Sequence, residues 1–329
     1  FFTKILIIRF SSIGDMVLTT PVIRCLKQQM EEVELHYLTK EQHLPVIKNN
    51  PYIDKIYTIK KSVTPIIPEL KNEKYDFIVD LHNSIRSTST VLKLARPFNS
   101  LKKLNIRKAF YVATKIDLMP NQHVVDRYFK VVESLHVVND QNGLDYFIAP
   151  EEEVKLIDLP ETHRNGYVAF VIGGKHATKR LPDHKVTAIC AKLKKPIILL
   201  GGNENRESGE IIKKIAGDHV YNACGLFSLN QSASILKQAK QVIANDTGLM
   251  HIAAALDKPV ISIWGNTVPA FGMYPYYKKG SENKSKIMEI KNLSCRPCSK
   301  LGFEKCPKEH FKCMNLIDEK EVVNSVNWE

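Results

Sequence analysis

The sequence predicts an α/β protein with two doubly wound, Rossmann-like domains that face each other across a cleft. Short apolar runs alternate with segments of helical spacing, a pattern typical of parallel sheets covered by helices on both faces. The alternation weakens between residues 140 and 166 and then restarts, and 329 residues are too many for one ordinary core. We therefore expect an N-terminal domain over 1–150 and a C-terminal domain over 151–329.

The N-terminal half contains four predicted strands. The run KILIIR at residues 4–9 predicts a fully buried strand. The segment 14–29 has helical spacing, and Pro21 inside it predicts a break or kink. Further strands are predicted at residues 33–38, 55–59 and 77–81, with helical segments between them.

The C-terminal half repeats the same alternation. Pro150, an acidic run at 151–153 and Pro160 mark the linker before it. Strands are predicted at residues 167–172, 196–200, 241–244 and 259–264. Helices are predicted at residues 183–193, 207–216, 229–238 and 248–256. Ligands of doubly wound sheets bind beyond the carboxyl ends of the strands, so functional motifs are expected directly after strands.

Charge and hydropathy limit the class of partner. The net charge is +12, and residues 86–130 hold ten Lys or Arg against two acids. This favours an anionic partner, whether nucleic acid, an anionic membrane or a phosphorylated substrate, and the alternative is a generic solvated surface. No apolar run approaches the ~20 residues of a membrane helix, and the start lacks a secretory leader, so we expect a cytoplasmic protein.

The motif RFSSIGD, residues 9–15, directly follows the first predicted strand. Ser11 and Ser12 suit the cap of a following helix, and Gly14 permits close backbone approach. Asp15 lies in the first turn, where the helix dipole stabilises a carboxylate. Such a carboxylate can take the proton of an attacking hydroxyl, and the alternative is that Asp15 only favours the helix start.

The segment GGKHATKRLP, residues 173–182, follows the first strand of the second domain. It combines small residues, three cations and the hydroxyl of Thr178, a composition that suits a bound phosphate. The P-loop pattern is missing, so an ordinary nucleotide triphosphatase is not predicted. An exposed basic turn is the alternative interpretation.

The segment ANDTGLMHIAAA, residues 244–255, is a strand end, a polar turn and a helix start. Asp246 and Thr247 are cap residues, and Gly248 permits close contact. The free N–H groups of such a helix start form an anion site, and His251 is one turn away. The alternatives are an ordinary cap and a buried structural histidine.

A weaker pattern, LGGNENRE at residues 200–207, also follows a strand. Acids at this position bind ribose hydroxyls in other doubly wound nucleotide sites. Glu204 and Glu207 are therefore candidates for a ribose contact, and the alternative is that either is a helix-start acid.

Four cysteines cluster near the end of the sequence, at Cys295, Cys298, Cys306 and Cys313, with His310 nearby. Four thiolates can close a tetrahedral zinc site, so a structural zinc ion is one hypothesis. The spacing C-x2-C-x7-C-x6-C is irregular for the usual zinc ribbons, so disulfide pairing and free thiols stay open.

Together these motifs resemble glycosyltransferase family 9. The resemblance rests on RFSSIGD, ATKRLP, NDTGLMHIAAAL and the segment HVVDRY at 123–128, in the same order over nearly the whole chain. It implies the GT-B fold, with a C-terminal helix able to pack back on the N-terminal domain. It also implies inverting transfer of a heptose from ADP-heptose to the lipopolysaccharide inner core, without a required cofactor.

The resemblance implies a role for each motif. Asp15 corresponds to the catalytic base. The residues that correspond to the donor site are Thr178, Lys179, Phe227, Asp246, Thr247, Gly248, Leu249 and His251, and the ribose candidates Glu204 and Glu207 are assigned to the same site. The residues assigned to the acceptor side are Ser11, Ser12, Gly14, His82, Asn83, Arg86 and Arg127.

The partners follow from the same resemblance. An anionic lipopolysaccharide precursor accounts for the basic region, and the enzyme is expected to lie peripherally on the cytoplasmic face of the inner membrane. Within the same class, the alternative is a GT-B enzyme that uses another nucleotide sugar for a cell-surface glycan. A basic nucleic-acid-binding protein with a zinc-like cysteine cluster is the alternative from another class. It leaves the strand-end motifs unexplained, so no nucleic-acid partner is expected.

Overall fold

The computed structural model describes residues 3–327, which divide into two compact units. The first unit runs to Leu104 and resumes over Gln122–Phe147, and the second takes Asn105–Asn121 and the chain from Ile148 onward. The sequence prediction placed all of 1–150 in one domain, so segment 105–121 differs from it. This segment contacts the second unit through Tyr111, whose ring centroid lies 6.0 Å from that of Phe271.

Strands and helices alternate along the described chain. The strands are β1 (Thr3–Ile8), β2 (Val33–Lys40), β3 (Lys55–Ile59), β4 (Phe77–Asp80), β5 (Phe98–Ser100), β6 (Val168–Val171), β7 (Ile197–Leu200), β8 (Val220–Asn222), β9 (Gln241–Asn245), β10 (Val260–Trp264) and β11 (Ser285–Glu289). The helices are α1 (Ile13–Val17), α2 (Thr20–Gln29), α3 (Ile67–Asn72), α4 (Ile85–Leu94), α5 (Asn105–Thr114), α6 (Val124–Val132), α7 (Asp183–Leu193), α8 (Arg206–Ala216), α9 (Leu229–Gln238), α10 (Gly248–Ala255), α11 (Lys312–Asn315) and α12 (Glu319–Asn324). The helical segment predicted at 14–29 is thus two helices, and Pro21 lies in the first turn of α2.

Each unit is built on one parallel sheet. The strand order is β3-β2-β1-β4-β5 in the first sheet and β11-β10-β9-β6-β7-β8 in the second. In both sheets the chain winds outward in two directions from a central strand, β1 or β6. The switch point therefore lies between β1 and β4 in one unit and between β6 and β9 in the other, where ligands of doubly wound sheets bind.

Apolar side chains on both faces of each sheet form the cores. In the first unit Leu6, Ile8 and Ile78 belong to one fully buried cluster. In the second unit Phe170 and Ile243 belong to another. Strands β6, β7, β9 and β10 are buried along their whole length, which is why they are continuous apolar runs in the sequence.

The last helix, α12, packs against α7 within the second unit. Glu319 accepts hydrogen bonds from Lys185 at 2.6 Å and Lys192 at 3.0 Å, and Val322 is fully buried in the same core. The sequence interpretation allowed this helix to return to the N-terminal domain, whereas the structure assigns it to the second unit. Among residues 3–327, no helix has the length and apolar character needed to span a bilayer.

Candidate active site

The carboxyl end of β1 carries the carboxylate of Asp15 on the short helix α1. Ser12 donates to Asp15 Oδ2 from its backbone nitrogen at 3.2 Å and from its hydroxyl at 2.7 Å. On the other oxygen, Oδ1 lies 2.7 Å from Arg9 Nη2. The side chain of Asp15 keeps 21% of its surface exposed, so the carboxylate is held in place by Arg9 and Ser12 and is still accessible.

Arg9 fixes this carboxylate, a role that the sequence interpretation missed. The Arg9 side chain is mostly buried, and it donates to the carbonyl oxygens of Ser11 at 2.7 Å and Leu81 at 2.5 Å. These bonds tie the end of β1 to the end of β4. The sequence did contain a signal for Arg9, because it is a cation directly after a buried strand and belongs to the same RFSSIGD motif as Asp15.

The neighbouring strand end, after β4, places His82 near the same carboxylate. The buried Asp80 accepts the backbone N–H groups of His82 and Asn83, each at 2.9 Å, and so fixes this turn. Burial, with the cations Arg9 and Lys103 adding to it, lowers the pKa of His82 to about 3. The imidazole is therefore neutral at neutral pH. Its buried Nδ1 has no hydrogen-bond partner in the part of the chain that the structure describes.

Three other residues predicted for the acceptor side, Asn83, Arg86 and Arg127, also lie in the first unit. Arg86 lies 5.7 Å from the ring centroid of Phe10, which also contacts His82 edge-on. Arg127 lies on α6, is mostly buried, and has its pKa lowered chiefly by burial, with Asp15 close enough to oppose that shift. The side chain of Asn83 donates to the carbonyl of Leu101 at 2.6 Å, so it braces the turn.

In the second unit, Lys179 and Asp246 meet between the ends of β6 and β9. Lys179 Nζ lies 2.5 Å from Asp246 Oδ2, and 20% and 10% of the two side chains are exposed. The hydroxyl of Thr267 donates to the same Oδ2 at 2.9 Å. Asp246 therefore holds a lysine at the switch point, and Thr267 was not singled out by the sequence interpretation.

Helix α10 begins beside this pair. Its cap residue Thr247 has extended backbone, and its Oγ1 is buried without a hydrogen-bond partner among residues 3–327. A Cβ added to Gly174 would lie 3.2 Å from Thr247 Cγ2 and 3.1 Å from Arg180 Cγ, so a side chain there would force these neighbours to shift. Gly248 and Leu249 form the first turn, where backbone N–H groups have no partner within the helix, and His251 is buried behind them.

The loop that carries Lys179 is anchored by Thr178. The backbone N–H and hydroxyl of Thr178 donate to the carbonyl of Phe303 at 3.1 and 3.2 Å, and the hydroxyl accepts from the Phe303 N–H at 2.8 Å. Only 2% of Thr178 is exposed. The sequence interpretation assigned Thr178 to the donor phosphates, whereas here its hydroxyl is engaged within the chain.

Arg296 anchors the turn after β10 in the same way. It donates to the carbonyls of Gly265 at 2.6 Å and Thr267 at 2.8 Å, and its Nη1 lies 2.8 Å from Glu289 Oε2. Since Thr267 in turn holds Asp246, the cysteine-rich segment that contains Arg296 supports the lysine pair. Arg296 and Gly265 are 31 residues apart, so no local sequence pattern predicts this contact.

Glu204 lies in the short 3-10 turn before α8, Glu207 lies in the first turn of α8, and both are exposed. Their loop approaches the loop before α9, because the Gly225 N–H donates to the Gly201 carbonyl at 3.0 Å. Phe227 is half-buried on that second loop. Glu204, Glu207 and Phe227 thus belong to neighbouring strand ends, after β7 and β8.

The cysteine cluster does not form the zinc ligand set proposed from the sequence. In residues 3–327, the one group of three ligand atoms within 4.8 Å of one another is Glu34, His36 and Glu73. Cys295 Sγ lies 3.9 Å from His310 Nε2, but among the described residues no three ligand atoms of this cysteine-rich segment all lie within 4.8 Å of one another. In the group of Glu34, His36 and Glu73, the Glu73 carboxylate accepts hydrogen bonds from Lys4 and Lys55, each at 2.8 Å.

Two doubly wound parallel sheets with polar turns at their switch points are the architecture of the GT-B fold. The sequence model of glycosyltransferase family 9 (heptosyltransferase) matches residues 63–302, well over half of the chain. The chain therefore belongs to glycosyltransferase family 9 and is a glycosyltransferase enzyme.

Known proteins resemble the chain along nearly its full length. Lipopolysaccharide heptosyltransferase 1 of Campylobacter coli is 25% identical, with 98% of each chain covered. Among solved structures, a glycosyl transferase family 9 protein from Veillonella parvula has a TM-score of 0.77 at 21% identity, covering 98% of this chain and 96% of that one. Escherichia coli heptosyltransferase WaaC with ADP has a TM-score of 0.68 at 21% identity, covering 98% of each chain. These two structures bear on the fold.

Proposed function

We propose that this enzyme transfers a heptose from ADP-heptose to the inner core of a lipopolysaccharide precursor, with inversion at the anomeric carbon. The observation that carries the proposal is the end-to-end similarity to Campylobacter coli lipopolysaccharide heptosyltransferase 1. The ADP bound in Escherichia coli heptosyltransferase WaaC supports the choice of nucleotide. The geometry of both units supports a direct displacement.

On the acceptor side, Asp15 is the general base. The acceptor hydroxyl attacks the anomeric carbon of the donor and forms the new C–O bond, while its proton passes to the Asp15 carboxylate. The hydroxyl becomes acidic only as that bond forms, so a carboxylate already ionised beside Arg9 suffices as the base. His82, neutral and with its Nδ1 free of partners in the described chain, is placed to hydrogen-bond the acceptor sugar.

On the donor side, the bond between the anomeric carbon and the diphosphate oxygen breaks, and ADP leaves with its added negative charge. Lys179 and the N–H groups at the start of α10 stabilise that charge as it develops. Asp246 holds the Lys179 ammonium at the switch point. A carboxylate beside a diphosphate places two negative groups together, which is tolerable only while that carboxylate is paired with a cation. Protein cations supply the compensation, so the scheme requires no metal ion.

The nucleoside occupies the adjoining strand ends. Glu204 and Glu207 are candidates for the ribose hydroxyls, and Phe227 is the candidate for the adenine face. We further propose that the basic region at 86–130 faces an anionic, lipid-linked acceptor at the cytoplasmic face of the inner membrane.

A thermal-shift screen with ADP, UDP, GDP and CMP tests the donor. We expect ADP to stabilise the protein most, by about 2.7 kcal/mol at a concentration of about 100 times its Kd. A larger shift with UDP, GDP or CMP would favour the alternative of another nucleotide sugar. The complete reaction is tested with ADP-heptose and a deacylated inner-core acceptor, by the mass of one added heptose and the anomeric configuration of the product; retention would contradict the displacement.

Replacing Thr267 with Val tests whether Asp246 positions Lys179. The change removes one hydroxyl bonded to a carboxylate and keeps the side-chain shape, so we expect ADP affinity to fall about tenfold. Calorimetry with ADP measures it. The matched control is Thr187→Val, because the Thr187 hydroxyl donates to the Asp183 carbonyl on α7 and touches none of these groups. Equal ADP affinity in both variants would remove Thr267 from the site.

A further inference from the structure

Helix α5 has no buried residue, although it is ten residues long and rich in apolar side chains. One of its faces packs against the rest of the second unit. On that face Lys108 Nζ lies 5.2 Å from the ring centroid of Phe271 and Tyr111 meets the same ring at 6.0 Å, and directly after the helix Lys115 donates to the Pro297 carbonyl at 2.7 Å. The spacing of these three residues fixes the orientation of the helix.

The opposite face of α5 is apolar and exposed. Ile106 and Phe110, one turn apart, are 87% and 40% exposed, and Ala113 continues the stripe. A surface helix normally places charged or polar residues there. In the same unit, Ile116 and Leu118, which follow α5 in the chain, are 56% and 55% exposed.

The same stretch of chain is strongly basic. Residues 81–116 contain eight Lys or Arg and no acid. Lys102 and Lys103 directly precede α5, Arg107 lies on it, and all three are exposed. Exposed apolar side chains flanked by cations are the pattern of a helix that lies in a membrane interface.

We propose that α5 docks this enzyme on an anionic lipid bilayer, with Ile106 and Phe110 inserted at the boundary between headgroups and acyl chains. Lys102, Lys103 and Arg107 bind the anionic headgroups. The inference rests on the proposed function in one respect, since a lipid-linked acceptor lies in such a bilayer. A nucleic acid would satisfy the cations through its phosphates but would leave the exposed Ile106 without a partner.

Vesicle co-sedimentation of the full chain tests the proposal. The vesicles contain equal parts of phosphatidylglycerol and phosphatidylcholine, and pure phosphatidylcholine is the reference. We expect binding to the anionic vesicles, and at least about a tenfold weaker association for the double variant Ile106→Gln/Phe110→Gln, equivalent to about 1.4 kcal/mol. The matched control is Ile211→Gln/Ile215→Gln, an exposed pair with the same spacing on α8, 49% and 66% exposed, and it should bind like the wild type.

Transfer to a deacylated acceptor without vesicles separates this inference from the proposed function. The α5 variant should keep wild-type turnover in that assay, which also shows that it is folded. The docking inference is wrong if the wild-type protein does not bind the anionic vesicles. It is also wrong if the α5 variant binds them as well as the control variant does. Loss of vesicle-free turnover in the α5 variant would also overturn it, because the face would then pack on protein. Vesicle binding without any heptose transfer by the wild type would overturn the proposed function alone.

Discussion

Replacing Asp15 with Asn is expected to lower turnover by about a hundredfold to ten-thousandfold, the usual range for the loss of a general base. The asparagine keeps the shape of the side chain and can still accept a hydrogen bond from Ser12, but it cannot take a proton. Turnover is measured with ADP-heptose and the deacylated acceptor, both saturating, so that the loss is observed in kcat.

The ion pair with Arg9 gives a separate and smaller expectation for stability. Arg9 is 7% exposed, so Asp15→Asn leaves a buried cation without its counter-charge. The amide oxygen of the new side chain and the carbonyls of Ser11 and Leu81 still accept its hydrogen bonds. We therefore expect a loss of about 1–2 kcal/mol in the free energy of unfolding, with ADP affinity unchanged.

A matched control separates chemistry from helix capping. Asp183 lies in the first turn of α7, as Asp15 lies in that of α1, and it is exposed. Asp183→Asn should leave kcat at the wild-type value. If Asp15→Asn keeps kcat within about threefold of wild type, Asp15 only supports its helix, whose dipole term is worth a few tenths of a kcal/mol.

The sequence is sufficient to predict the longer strands and the helices beside them. The bounds predicted for α7 and α9 and for β3 agree with the structure, and β6 is only one residue shorter at each end. Strands covered on both faces must be apolar throughout, so the run of residues shows them directly. The same rule placed the functional motifs after strands, where both switch points lie.

Three of the four edge strands, β5, β8 and β11, escaped prediction for a physical reason. β5 and β8 have three residues each, too few to show a period. β11 is an edge strand whose exposed Lys286 breaks its apolar pattern. The assignment of α5 to the second unit depends on contacts with Phe271, more than 150 residues away in sequence, and no local pattern contains that information.

The candidate site shows the same division between local and distant contacts. Ser12 and Asp15 are three residues apart, and their hydrogen bond follows from helix-start chemistry. Thr267 lies 21 residues from Asp246, and the Arg296 contact with Gly265 spans 31 residues. Cysteine spacing likewise suggested a metal site, but spacing does not set the distances between sulfur atoms, and in residues 3–327 no three of these thiols lie within 4.8 Å of one another.

Replacing Lys179 with Ala is expected to weaken ADP binding by about tenfold to a hundredfold, because a hydrogen bond from a charged donor is worth about 1.5–3 kcal/mol. The loss should exceed that of Thr267→Val, since the mostly buried Asp246 would then face the diphosphate without a neutralising cation. Turnover should fall as well, because the leaving diphosphate loses a cation that acts as charge develops. Calorimetry with ADP measures the affinity, and steady-state kinetics measures kcat.

The matched control is Lys185→Ala. Lys185 lies on α7, away from the switch point, and its Nζ makes an ion pair with Glu319 of α12 at 2.6 Å. That variant should lose stability while its ADP affinity stays at the wild-type value. The double variant Lys179→Ala/Asp246→Asn, compared with Lys179→Ala and Asp246→Asn alone, then distinguishes two roles for Asp246. If Asp246 only holds the lysine, removing both should cost less than the sum of the single losses, because the unpaired carboxylate is gone. If Asp246 binds the donor itself, the two single losses should add. Separately, an unchanged ADP Kd in Lys179→Ala would remove the lysine from the site.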